Sequence, residues 1–152
     1  LRAWDGLRDL PLFDEDLERA PEPAAVAALR TAIRQADGLL LASPEYNGAI
    51  PAGLKNAVDW ASRPYGNGVL VGKPAAVIGA SVTPYGAARA QQQLRAVLAV
   101  AGATVVDADL PVPEAFRQFD DHGELIDVDL RDGLRLVLAA LREQIDGGRA
   151  AA

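Results

Sequence analysis

Short apolar runs alternate with longer amphipathic stretches along this chain. Val26, Leu29 and Ile33 recur at helical spacing and predict a helix from Pro23 to Ala36, entered through Pro21 and Pro23. Asp37-Gly38 ends it. The run Leu39 to Ala42 follows, apolar on both faces, as suits a strand in a sheet covered on both sides. Pro51 and Gly53 open a second helix whose apolar face is Leu54, Ala57, Val58 and Ala61. Turn residues crowd the stretch from Ser62 to Lys73. Pro74 to Gly79 reads as the next strand. A long helix is predicted from Tyr85 to Ala101, with Leu94, Val97, Leu98 and Ala101 on one face and Gly102 as its C-cap. Thr104 to Val106 reads as a third strand, and residues 107 to 128 as irregular. A last helix is expected from Asp129 to Ile145, with Leu130, Leu134, Leu138 and Leu141 inward. Gly147-Gly148 is expected to stop it, leaving Arg149 to Ala152 as a frayed tail. Strand and helix thus alternate, which predicts an α/β sandwich with helices on both faces of a parallel sheet.

Length and composition narrow the class. At 152 residues, half of them hydrophobic, the chain fits one domain with a proper core. No apolar run approaches the roughly 20 residues of a membrane span. A net charge of −6 disfavours a nucleic-acid partner, because phosphate binding needs a basic surface. The cysteine count of zero excludes disulfides, thiol redox chemistry and thiolate metal sites. The only histidine, His122, lies in Asp120-Asp121-His122-Gly123 and reads as an exposed turn rather than a metal ligand. Without a Gly-x-Ser-x-Gly elbow, a hydrolytic triad is disfavoured as well. No metal site is expected, and any redox chemistry has to come from a bound cofactor.

The loop between the first strand and its helix carries the most chemistry. Ser43-Pro44-Glu45-Tyr46-Asn47-Gly48 combines a proline, an aromatic, an amide and a glycine. In open parallel sheets, ligands bind in the loops beyond the carboxyl ends of the strands. Pro44 fixes the backbone and pushes Ser43 to an extended form. Gly48 permits positive φ or a close backbone approach. A second loop, Ala80 to Gly86, follows the next strand at the same sheet edge. Its Ser81 and Thr83 can meet a ligand or simply cap the following helix.

The wording Ser-Pro-Glu-Tyr-Asn-Gly-x-Ile-Pro-x-x-Leu-Lys-Asn-Ala-x-Asp-Trp, residues 43 to 60, resembles the NADPH-dependent FMN reductase family. That family includes quinone- and chromate-reducing flavoproteins with a flavodoxin-like fold. Asp9 to Asp14, Gly79 to Ser81, Gly86 to Gln91 and Leu94-Arg95 are similar to it too. The resemblance implies an FMN-dependent NAD(P)H oxidoreductase that uses NADPH or NADH, with no catalytic acid–base residue of its own. In such an enzyme the flavin N5 takes the hydride and the protein supplies position and electrostatics. The acceptor is then a quinone, a metal oxyanion or free flavin. Backbone amides of Pro44, Glu45, Tyr46, Asn47 and Gly48 are implied to face the ring, with Tyr46 and Asn47 at its edge. Ser81 is implied to donate to a flavin carbonyl, and Gly86 to let the helix start approach the ring. The resemblance also implies a cytoplasmic homodimer or homotetramer, with Arg89 near a subunit contact. Arg89 could instead pair with an acid or a nicotinamide phosphate. Phe116 and Phe119 offer exposed aromatics for a contact surface, unless both fold back over their own sheet. Lys55 and Asp59, four apart, read as a surface pair.

A flavodoxin-like sheet has its first strand in the middle, in the order 2-1-3-4-5. The residues here begin late in the second unit of that order. The expectation is therefore a single flavodoxin-like domain whose N-terminal strand, phosphate loop and first helix are absent from residues 1 to 152. Two other readings stay open from sequence alone: a non-enzymatic flavodoxin-type FMN electron carrier, and a fragment that cannot bind FMN.

Overall fold

A computed structural model describes residues 1–150. A short 3-10 turn at Leu7–Asp9 leads to α1 (Glu15–Arg19), which the residue pattern did not predict. Asp14 caps α1 by accepting from the Asp16 amide at 2.8 Å, and acids fill its first turn, as suits the positive end of a helix. Then come α2 (Ala24–Gln35), β1 (Leu39–Ser43), α3 (Ala52–Ala61), β2 (Pro74–Ala80) and α4 (Ala88–Val100). The chain closes with β3 (Thr104–Val105), β4 (Pro111–Val112), a 3-10 turn at Ala115–Arg117 and α5 (Val128–Ala150).

All strand pairs are parallel. β2 lies in the centre, pairing β1 along one edge with Leu39 opposite Ala75. Its other edge takes β3 opposite Pro74 and β4 opposite Gly79. β3 and β4 are therefore two pieces of one interrupted strand, bonded through Val106 N–H to Ala75 O and Gly79 N–H to Leu110 O. Alternation along β2 divides the core. Ala75 and Val77 face α2, α3 and α4, where Val26, Leu29, Trp60, Leu94 and Leu98 pack. Ala76 faces α5 with Val106, Leu110, Val112, Val137 and Leu141. Helices cover both faces of an open parallel sheet, and the fold is an α/β sandwich.

Four differences from the residue pattern have physical reasons. Strand β4 and the turn at 115–117 lie inside the stretch read as irregular; two residues beside prolines give no period to detect. Helix α4 starts at Ala88 and not at Tyr85, because Gly86 and Ala87 both take positive φ, 56° and 60°. Helix α5 runs through Gly147-Gly148 to Ala150. Each glycine there costs about 1 kcal/mol, a cost that the exposed Arg149–Asp37 pair at 2.5 Å offsets only in part. Arg149 and Ala150 thus belong to the helix, and the other two residues of the expected tail, Ala151 and Ala152, lie outside the described residues. Finally, Leu39, Leu40 and Leu41 are only half-buried and Ala42 is exposed, since β1 is the edge of the sheet. An apolar groove of about 530 Å³ lies on the α5 side of the sheet, between Ala42, Ile78, Val112 and α5.

The opening segment is stitched to α3. Pro11 O accepts from Trp60 Nε1 at 2.8 Å and from Asn56 Nδ2 at 2.9 Å. The Phe13 ring meets Trp60 edge-on at 5.0 Å.

Candidate functional site

The loops after β1 and β2 emerge at the same end of the sheet, because the two strands are parallel and in register from Leu39–Ala75 to Ser43–Gly79. Each is built by local chemistry. In the first, Tyr46 and Ala49 exchange both backbone hydrogen bonds, at 3.0 and 3.1 Å. Asn47 and Gly48 lie between them with φ of 54° and 78°. Positive φ at both central positions is the type I′ pattern, and Asn-Gly is the pair that favours it. The turn uses the amides of Tyr46 and Ala49 internally. Those of Asn47 and Gly48, at its tip, meet no protein acceptor among the described residues. Tyr46 stands 63% exposed beside them.

Pro44 continues from Ser43, whose buried hydroxyl donates to Pro44 O at 2.8 Å. Glu45 points its side chain away from the loop tip. Its Oε2 accepts the backbone N–H groups of Arg89 and Ala90, at 3.1 and 3.2 Å. These are the unpaired donors of the first turn of α4, so Glu45 caps a helix 44 residues away.

In the second loop, Thr83 N donates to Ser81 Oγ at 3.1 Å, and the two hydroxyls lie 2.9 Å apart. One hydroxyl proton suffices for that pair, which leaves the other free for a ligand acceptor. Neither hydroxyl caps α4. Gly86 approaches the backbone of β4: a Cβ there would lie 2.7 Å from the Pro111 carbonyl carbon. Gln91, fully buried, ties the loop down by donating to Gly86 O at 3.0 Å and accepting from Leu110 N at 3.0 Å. Tyr85 is exposed, with the Arg89 guanidinium over its ring at 5.9 Å. Arg89 has no carboxylate within ion-pair distance among the described residues.

Asn47, Ala87 and Glu114 are the non-glycine residues with positive φ among those described. They occur in the segments after β1, β2 and β4, at one end of the sheet. Strained backbone of this kind concentrates where a ligand is received. The site thus offers spare amides, one spare hydroxyl proton and two exposed phenol rings. That set suits a flat, hydrogen-bonding heteroaromatic ring and contains no acid–base pair.

Outside this edge, the structure gives other residues ordinary work. His122 sits in a turn, its amide bonded to Asp120 Oδ1 at 2.9 Å. Lys55 pairs with Asp59 at 2.6 Å. No cluster of metal-ligating side chains occurs among the described residues, and none of their helices is long and apolar enough to cross a membrane. One residue, Gln91, and one role, that of the Glu45 side chain, escaped the sequence reading. Gln91 carries no local pattern that marks a buried latch, and the helix-capping role of Glu45 depends on a contact across the fold.

Comparison with known proteins gives the family. The model of the NADPH-dependent FMN reductase family matches residues 4–117. An NAD(P)H-dependent FMN reductase of Pseudomonas aeruginosa is 41% identical over 88% of this chain and 72% of its own. A quinone reductase of Escherichia coli K12 is 38% identical over 95% of this chain and 78% of its own. Among solved structures, the flavoenzyme NAD(P)H:(acceptor) oxidoreductase FerB of Paracoccus denitrificans superposes with a TM-score of 0.73 at 33% identity, covering 92% of this chain and 75% of that one. On the family match and the identity of these relatives, the chain belongs to the NADPH-dependent FMN reductase family.

Proposed function

We propose that this FMN-dependent NAD(P)H oxidoreductase holds the flavin ring between its two sheet-end loops and passes electrons to a quinone. The observation that carries the reading is the type I′ turn at Asn47-Gly48, whose tip amides face no protein acceptor, at the same sheet end as the Ser81 loop. Backbone groups of Pro44 through Gly48 line one side of the ring site. Ser81 donates its spare proton from the other. Gly86 acts through β4, by letting the second loop pack against Pro111. When bound, FMN supplies hydride acceptance from the nicotinamide and electron delivery to the acceptor. The protein's share is to orient the ring and leave one face open, with Tyr46 and Tyr85 at the rim. Quinone reduction is favoured because the Escherichia coli relative carries that name and the rim is aromatic and open. A cytoplasmic setting accords with a nicotinamide-dependent reaction.

We also infer that the domain is completed by a strand on the free edge of β1, followed by a loop that supplies donors for the FMN phosphate. The half-buried leucines of β1 and the apolar groove beside α5 support this. An edge strand of that composition otherwise invites unwanted pairing. The assembly is proposed as a homodimer or a pair of dimers, with Arg89 and Phe116 at contacts. Phe116 is 64% exposed, and Phe119, 42% exposed, also lines the groove beside α5.

The test is steady-state oxidation of NADPH by the intact protein, with and without a benzoquinone, alongside the absorbance of bound flavin. Bound flavin with quinone-dependent turnover is expected. Flavin without turnover would identify an electron carrier, and no flavin would overturn the reading.

A further inference from the structure

The Glu45 carboxylate reaches across the fold to the start of α4, and it does not act alone. Gln93, one turn further along that helix, accepts the backbone N–H of Ile50 through Oε1 at 2.9 Å. Residues 89, 90 and 93 lie on neighbouring positions of one helical surface. The loop from Glu45 to Ile50 is therefore tied at both ends to a single turn of α4, and it is closed between those ties by the Tyr46–Ala49 bridge. The same helix is anchored to the second loop from below, where buried Gln91 holds Gly86 and Leu110. Gly79 makes room for this: a Cβ there would lie 2.9 Å from Gln91 Nε2 and 2.7 Å from Ser43 O.

We infer that Glu45 is a positioning residue for the flavin site: its side chain locks the Asn47-Gly48 turn to α4, so that both ring loops move with one helix. The inference rests on the flavin reading above but assigns Glu45 a different task from contacting the ring. Two charge-assisted bonds to otherwise unpaired helix donors hold its side chain. A carboxylate suits the place because helix N-termini favour negative charge. Without it, the turn retains only the Gln93 tie at its far end. The tip amides of Asn47 and Gly48 then sample many orientations, and a ligand that uses them must order the loop on binding.

The experiment compares intact wild-type protein with Glu45→Gln, Glu45→Ala and Gln93→Ala. Each is stripped of cofactor and titrated with FMN by fluorescence quenching. Amide hydrogen exchange is followed for the cofactor-free proteins over residues 44–50 and 88–90. Glu45→Gln keeps an acceptor oxygen at the same reach, so its FMN affinity should stay within about threefold of wild type. Glu45→Ala should bind FMN about tenfold more weakly, with faster exchange at both Asn47-Gly48 and Arg89-Ala90. Gln93→Ala should give a smaller loss, with faster exchange at Ile50. Unchanged exchange in the 44–50 loop of Glu45→Ala would overturn the inference. So would a Glu45→Gln variant that keeps normal exchange but binds FMN as weakly as Glu45→Ala, because the charge would then act on the flavin directly. Failure of the wild-type protein to bind FMN would overturn the flavin reading instead, while the exchange data would still decide whether Glu45 locks the turn.

Discussion

Asn56 Oδ1 accepts the backbone N–H of Phe13 at 2.8 Å, a contact that joins the opening segment to the middle of α3. The same amide group donates to Pro11 O at 2.9 Å. One side chain, 9% exposed, thus satisfies a donor and an acceptor of an irregular strand that has no sheet partner. Its neighbour Trp60 repeats the tie to Pro11, so the packing of Phe13 on Trp60 depends on both.

Replacing Asn56 with leucine should therefore cost about 1–2 kcal/mol, because the half-buried Phe13 amide is left without a partner. Urea unfolding followed by tryptophan fluorescence should show a lower midpoint with an unchanged slope. A loss of turnover without loss of stability would instead give Asn56 a role in the reaction.

Much of this architecture was legible in the residues. Helices α2, α3 and α4 carry sustained apolar periodicity, and Val26, Leu29, Ile33, Leu94 and Leu98 are buried as their spacing predicts. Strands β1 and β2 were legible as short apolar runs between turn signals. The turn after β1 was legible as well, because Asn-Gly has a strong local preference for it. Contacts across the fold were not. Glu45 caps α4 and Gln91 bridges two loops through bonds between residues 44 and 19 apart in the chain, and no local pattern encodes them. The double glycine misled as well. Gly147 and Gly148 lower helix propensity by about 1 kcal/mol each, yet α5 continues through both, and the exposed Arg149–Asp37 pair, worth under about 1 kcal/mol, offsets only part of that cost.

Glu114 should be replaceable with a gain. It adopts φ 45° and ψ 48°, a left-handed conformation that costs a side-chain-bearing residue about 1–2 kcal/mol. Its ion pair with Arg117, at 3.4 Å and largely exposed, is worth only about 0.3 kcal/mol. Glycine removes the strain and gives back about 0.5–1 kcal/mol through the freedom of the unfolded chain. Glu114→Gly is expected to stabilise the protein by about 0.5 kcal/mol, raising Tm by 1–2 °C, with roughly 2–4 °C per kcal/mol for a chain of this size. A lower melting temperature in scanning calorimetry would mean that the Glu114 carboxylate does more than the Arg117 contact shows.

The hairpin after β4 should govern association. Phe116, Ile126 and Val128 are exposed at 64%, 52% and 58%, and Ile126 N donates to Gln118 O at 2.9 Å, which brings the two arms together. Exposed apolar side chains grouped on the hairpin and the adjoining start of α5 mark a contact surface. Phe116→Ser with Ile126→Ser should shift the protein from dimer to monomer in light scattering at micromolar concentration, with little change in the melting of the monomer. A monomeric wild-type protein under those conditions would refute the proposed assembly.

Asn47 offers the sharpest separation of turn from ligand contact. Its φ of 54° suits asparagine and glycine but not alanine. Asn47→Gly should keep the type I′ turn and leave stability within about 0.5 kcal/mol, since the residue lies in an exposed loop. Asn47→Ala should cost about 1 kcal/mol more, because its Cβ strains the same conformation. If the side-chain amide meets the flavin edge, FMN affinity should fall several-fold in both variants, with the larger loss in alanine. If only the backbone of the turn matters, the glycine variant should bind FMN as wild type does, and the amide's part in the proposal is withdrawn. Titrating both cofactor-free variants with FMN and melting them in parallel distinguishes the two, because the glycine change alters the side chain while sparing the backbone that presents it.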